Sequence, residues 1–225
     1  MKFFQQIAPN VAAKADVFGK AIVETLLMAA WAGVFVILFG LILGIILVIT
    51  GDKGIRPNKV IYQVLDKIIN LFRSIPFVIL LAGLMPLSRL IMGTAIGLKG
   101  AIVPLVIGAI PFYSRQVESA LSQVDRGQVE AAEAFGVSAP GIIFRVYLKE
   151  SIAPLARGTT IAIISLFGLI AMAGAVGAGG LGDFAIRYGH DRNQTDATLV
   201  TVLVLVIMVS IIQIIGNTVA KKNTH

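Results

Sequence analysis

The residues whose types and spacing suit a specific task lie between positions 115 and 150. Glu130-Ala131-Ala132 is followed after three residues by Gly136, and Gly136 after nine more by Val146-Tyr147-Leu148. Arg115, Glu118, Asp125, Arg126, Glu133, Arg145, Lys149 and Glu150 make the stretch polar, and long apolar runs flank it on both sides. The chemistry that this pattern allows is mechanical. Alanine is a strong helix former, and its small side chain lets another backbone come close. Glu130 to Phe135 therefore reads as a short helix with Ala131, Ala134 and Phe135 on an apolar side. Gly136 suits the left-handed residue that ends such a helix. Ser138 is placed to cap the next helix, with Pro140 tolerated in its first turn. Two short helices joined at a glycine make a knob that a soluble partner could seat.

Residue sets that would carry covalent or hydrolytic chemistry are missing from the sequence. There is no Gly-x4-Gly-Lys-Ser/Thr phosphate cradle, no Gly-x-Ser-x-Gly nucleophile turn and no helical His pair. The two histidines are His190, beside Asp191, and His225. The chain is expected not to be an enzyme and to hold no metal or cofactor.

The elements around the loop follow from composition. The chain of 225 residues is 57% hydrophobic and 14% charged, with no cysteine. A soluble domain carries about a quarter charged residues. The apolar runs are continuous, which predicts membrane helices of about 20 residues rather than barrel strands. Five spans are predicted, at about 25–50, 74–92, 97–114, 158–180 and 197–219, with a tail at 221–225. Residues 1–20 read as an N-terminal extracytoplasmic segment, either amphipathic and lying at the membrane surface or a frayed tail. The net charge of +7 belongs to flanks of spans facing anionic lipid, and nucleic acid is excluded as a partner.

Prolines punctuate the second and third spans: Pro76 and Pro86 near the ends of one, Pro104 and Pro111 inside the other. Each is expected to kink or terminate a helix and to free a carbonyl, either lining a path or within ordinary packing. Gly174, Gly177, Gly179, Gly180 and Gly182 close the fourth span. As a continued helix they give two small-residue rows, Ala171/Ala175/Gly179 and Gly174/Ala178/Gly182. Such rows permit close helix contact in lipid, at a gate, between subunits or inside one subunit.

With five spans the two termini fall on opposite sides. Lys2, Lys14, Lys20, Arg89, Lys99, Arg187 and Arg192 fall on one side, and the larger share of the 19 basic residues on the other. This bias predicts N-out and C-in, with the loop at 115–150 in the cytoplasm. The centres of the spans carry no charge, which argues against an ion-coupled carrier.

The loop's spacing resembles the EAA loop of the membrane permeases of ATP-binding-cassette importers, with Lys149 standing where that family usually has proline. Beyond the loop, Asn70-Leu71-Phe72-Arg73-Ser74-Ile75-Pro76-Phe77, Gly100-Ala101-Ile102-Val103-Pro104-Leu105 and Gly174-Ala175-Val176-Gly177-Ala178-Gly179-Gly180-Leu181-Gly182 resemble the methionine ABC-importer permease family. The resemblance implies an all-α, five-span type I importer bundle that works as a homodimer in the cell membrane. It implies two cytoplasmic ATPase subunits that bind ATP and Mg, and an extracytoplasmic binding protein delivering L- or D-methionine. It assigns coupling to Glu130, Ala131, Ala132, Phe135, Gly136, Val146 and Leu148. A permease for another amino acid or small solute is the nearest alternative, and a secondary transporter a more distant one. Met28, Met85, Met92, Met172 and Met208 read as packing residues, not a methionine pocket.

Overall fold

The computed structural model describes residues 8–223. The expectation of a surface-lying segment falls partly on residues 1–7, and Lys2 and His225 fall there or at the far end, outside the described residues. Among the described residues the regular structure is entirely helical. A short α1 (Pro9–Ala12) precedes α2 (Ala15–Thr50). Then come α3 (Lys59–Ser74), α4 (Phe77–Gly83), α5 (Met85–Met92), α6 (Gly97–Leu121) and α7 (Arg126–Ala134). From Ala139 the chain runs through α8 (Ala139–Ile142), a wide i→i+5 stretch (Ile143–Tyr147), α9 (Leu148–Glu150) and α10 (Ile152–Ala173). A second wide stretch (Gly174–Ala178), α11 (Gly180–Phe184), a third (Ala185–His190) and α12 (Thr195–Lys222) complete it.

Among the described residues four stretches are long and apolar enough to cross a membrane: Ala15–Thr50, Gly97–Leu121, Ile152–Ala178 and Thr195–Lys222. At 1.5 Å per residue the 36 residues of α2 extend about 54 Å, well beyond a hydrocarbon core of about 30 Å. The helix therefore starts ten residues before the predicted span. On α12 the apolar side chains Leu199, Val202, Leu203, Val206 and Ile207 stay exposed, as side chains meeting lipid or another membrane helix do.

The predicted span at 74–92 is not one helix. α4 and α5 meet at Leu84, and Pro86 occupies the first turn of α5, where its missing N–H costs nothing. Pro76 is the N-cap residue of α4. Pro104 and Pro111 neither terminate nor interrupt α6. Proline cannot donate to the carbonyl four residues back, so Pro104 leaves the Gly100 carbonyl free. Ser88, on α5, donates its hydroxyl proton to that carbonyl at 2.8 Å from a fully buried position.

The chain forms two compact units. The first gathers 8–34, 76–107 and 163–212. In it Phe18, Phe184 and Leu181 pack in one apolar cluster with Val11 and Ala197, and the Phe18 and Phe184 rings meet edge to face at 4.9 Å. Asn10 holds both carboxylate oxygens of Asp196 at 2.9 Å, through its main-chain and side-chain nitrogens. The second unit gathers 35–75, 108–162 and 213–223. There α6 continues seven residues beyond the predicted end of its span, which brings Arg115 and Glu118 onto a helix facing α3.

Candidate functional site

The polar loop is built by local rules at both ends of α7. Asp125 is the N-cap, and its carboxylate accepts from the Gly127 amide at 2.6 Å, satisfying one of the donors that a helix start leaves unpaired. The helix thus begins at Arg126, four residues before the predicted start. An Asp ahead of a helix-forming run was the available signal. At the other end the Gly136 amide donates to the Glu133 carbonyl at 2.9 Å, and the Val137 amide to the Ala132 carbonyl at 3.0 Å. This pair of bonds is the Schellman arrangement, which needs a left-handed residue at its centre. Gly136 has φ +73°.

Val129 anchors α7, being 6% exposed. Ala131, Ala134 and Phe135 point outward, and Phe135 is 88% exposed. Ser138 stands at the N-cap of α8 in an extended conformation, but its hydroxyl makes no capping bond. Its main-chain carbonyl instead accepts from Ile142 at 3.0 Å. Pro140 lies in that first turn. Val146 and Leu148 are half-buried, Lys149 is exposed, and Phe144, which the sequence pattern did not single out, is 69% exposed.

Arg115 ties α3 to the C-terminal turns of α6. It donates to Glu118 at 2.7 Å and to Asp66, and the Tyr62 hydroxyl donates to the other oxygen of Glu118 at 3.2 Å. Three charges and a phenol so occupy one cluster next to the root of the loop. The sequence reading placed Arg115 and Glu118 in the loop but missed their partners on α3, which are about 50 residues away.

At the glycine-rich segment the structure corrects the predicted small-residue rows. α10 stops at Ala173, and the chain turns at Val176 and Gly177, so no continuous helix carries those rows. Gly177, Gly179 and Gly180 have φ of +95°, +85° and +74°. The chain doubles back so tightly that a Cβ on Gly174 would come within 2.7 Å of the Asp183 nitrogen. The close approach that the small residues permit is made inside this chain. Two residues missed in the sequence hold the turn. Glu24 accepts from the Gly180 amide, and Thr25 accepts from the Leu181 amide, both at 2.8 Å. A carboxylate in the first turns of an apolar helix was the only local signal.

Known proteins are similar to this chain along most of its length. The probable D-methionine transport system permease protein MetI of Vibrio cholerae is 42% identical over 222 residues, 99% of each chain. The methionine import system permease protein MetP of Bacillus subtilis is 42% identical over 172 residues, covering 76% of this chain and 78% of that one. A chain from an inward-facing structure of the MetNI methionine ABC transporter superposes with a TM-score of 0.90 at 38% identity, covering 95% of this chain and 99% of that one. Residues 36–222 match the family described as binding-protein-dependent transport system inner membrane component, and the chain belongs to that family.

Proposed function

We propose that this chain is the permease subunit of an ATP-driven importer that moves methionine across the cell membrane. The observation that carries the reading is the likeness, along nearly the whole chain, to permeases named for methionine transport. The chain works as a homodimer with two cytoplasmic ATPase subunits, which bind ATP and Mg, and receives its substrate from an extracytoplasmic binding protein. It crosses the membrane five times, with α4 and α5 together supplying the second crossing, the N-terminal segment outside and the tail at 221–225 in the cytoplasm. The 21–220 stretch is the transmembrane domain.

In this reading α7 and α8 are the coupling element. Glu130, Ala131 and Ala132 give a helix of small cross-section. Gly136 sets the angle to the next helix, and Val146 and Leu148 root the knob. Phe135 is the aromatic anchor for the ATPase, because a large exposed ring that becomes buried at an interface contributes much of its binding energy. ATP binding by the partner moves the knobs, and the spans rotate to open a path on the other side, an alternating-access motion of rigid bodies. The glycine turn at 174–182 serves as a gate. The span centres carry no charge, which suits a neutral zwitterion better than a charged solute.

The test is uptake into vesicles holding permease, ATPase and binding protein. ATP-dependent methionine uptake, competed by excess methionine and not by arginine or glutamate, is expected. Equal competition by arginine or glutamate would leave a general amino-acid permease. Uptake driven by an ion gradient without ATP would refute the importer.

A further inference from the structure

Within the first unit the glycine turn has a polar side and an open side. On the polar side it rests on α2. Glu24 and Thr25 accept from the Gly180 and Leu181 amides, and Lys20 lies 3.7 Å from the second oxygen of Glu24. The fit is close. A Cβ on Gly179 would meet Glu24 at 2.7 Å, and one on Gly180 would meet Thr25 at 2.7 Å and Met28 at 2.9 Å. On the other side lies a cleft of about 220 Å³. Leu81, Met85, Ala101 and Pro104 line it together with Val176 and Gly177 of the turn, and its lining carries no charge among the described residues. Packed interiors leave few voids larger than a water molecule, so this cleft is room beside the turn. Val176, at its edge, is 47% exposed. Gly177, Gly179 and Gly180, all with positive φ, give the backbone between them the freedom to re-aim.

We propose that Glu24 and Thr25 are positioning residues for import: they latch the glycine turn against α2, and when they let go Val176 moves into the apolar cleft. The latch rests on the reading of this turn as a gate and names what sets its position. Release exchanges two hydrogen bonds to main-chain amides for burial of an apolar side chain. The two terms are of the same order, so the latched and released positions lie close in energy. Movement of the spans when the partner binds ATP is then enough to choose between them, as a two-state element requires.

The test uses the whole complex of permease, ATPase and binding protein in lipid nanodiscs. The chain has no cysteine, so Val176→Cys gives it a single thiol whose rate of maleimide alkylation reads the turn's position. Fast alkylation without nucleotide and slower alkylation with a non-hydrolysable ATP analogue are expected. Adding Glu24→Ala removes one charge-assisted bond and should shift the turn toward the cleft about 10-fold, so that alkylation is slow with and without nucleotide. Thr25→Val should act in the same direction. Glu24→Gln keeps an oxygen acceptor and should restore most of the nucleotide response, which a variant that merely misfolds would not do. Alkylation indifferent to nucleotide in the Val176→Cys complex would refute the gate and the latch with it. A nucleotide response unchanged by both Glu24→Ala and Thr25→Val would leave the gate standing and overturn the latch, and so would fast alkylation of those variants in both states.

Discussion

The carboxylate of Glu24 accepts a hydrogen bond from the main-chain amide of Gly180 at 2.8 Å, across 156 residues of sequence. Next to it the Thr25 hydroxyl accepts from the Leu181 amide at 2.8 Å and donates to the Ala21 carbonyl at 3.0 Å. Two amides that begin α11 are thereby satisfied by α2. The first turn of α11 is joined to a helix from the other end of the chain.

Glu24→Ala should therefore loosen the glycine turn. A hydrogen bond to a charged acceptor contributes about 1.5–3 kcal/mol, and the side chain is 25% exposed, so a loss near the low end of that range is expected. Glu24→Gln keeps an oxygen acceptor and should recover most of it. Thermal unfolding in detergent, compared with the unaltered protein, measures both. Equal loss in the two variants would show that charge matters and not the cap.

Ser88 and Pro104 form a compensating pair. Ser88→Ala strands the buried Gly100 carbonyl, at a cost of about 1–3 kcal/mol. Pro104→Ala restores an amide that can bond that same carbonyl within α6, so the double variant should regain the greater part of the stability. A double-mutant cycle reads the coupling directly. Additive losses would mean that the serine matters only for its packing.

Gly136 is constrained by its φ and not by space, since nothing lies within 4 Å of the position of a Cβ. Gly136→Val should cost about 1–2 kcal/mol through left-handed backbone strain and reduce co-purification of the ATPase. Gly136→Asn, which tolerates that conformation, should keep the ATPase. Unchanged co-purification and unchanged substrate-stimulated hydrolysis in the valine variant would remove the coupling assignment.

Arg115 should not be replaceable by lysine. One ammonium cannot reproduce the fork that reaches both Glu118 and Asp66. Loss of a fully buried pair costs about 3–5 kcal/mol. Asp66 is 35% exposed, and solvent screening reduces the figure to about 1–2 kcal/mol. Chemical unfolding of Arg115→Lys and Arg115→Ala, with similar losses for the two, is the expected result. Full stability in the lysine variant would show that a point charge suffices.

Part of this protein was legible in its residues because the causes are local. Continuous apolar runs require helices in lipid, whatever those helices pack against. Gly136 ends α7 and Pro140 opens α8 through backbone constraints that act within a few residues. The spacing of Glu130, Gly136 and Leu148 was enough to point to the family. What tertiary structure decided has long-range causes. α10 ends at Ala173 and not at Gly180 because Gly174 lets the chain double back and Glu24 and Thr25 hold the turn. α6 runs through Pro104 because Ser88 takes the carbonyl that proline frees. α6 also carries Arg115 and Glu118 onto a helix because Asp66 and Tyr62 on α3 satisfy them. In each case the sequence supplied a polar group without its partner, and a hydrogen bond between distant residues has no period or motif. Only the fold brings the two groups within hydrogen-bonding distance, and only then does the helix boundary have a cause.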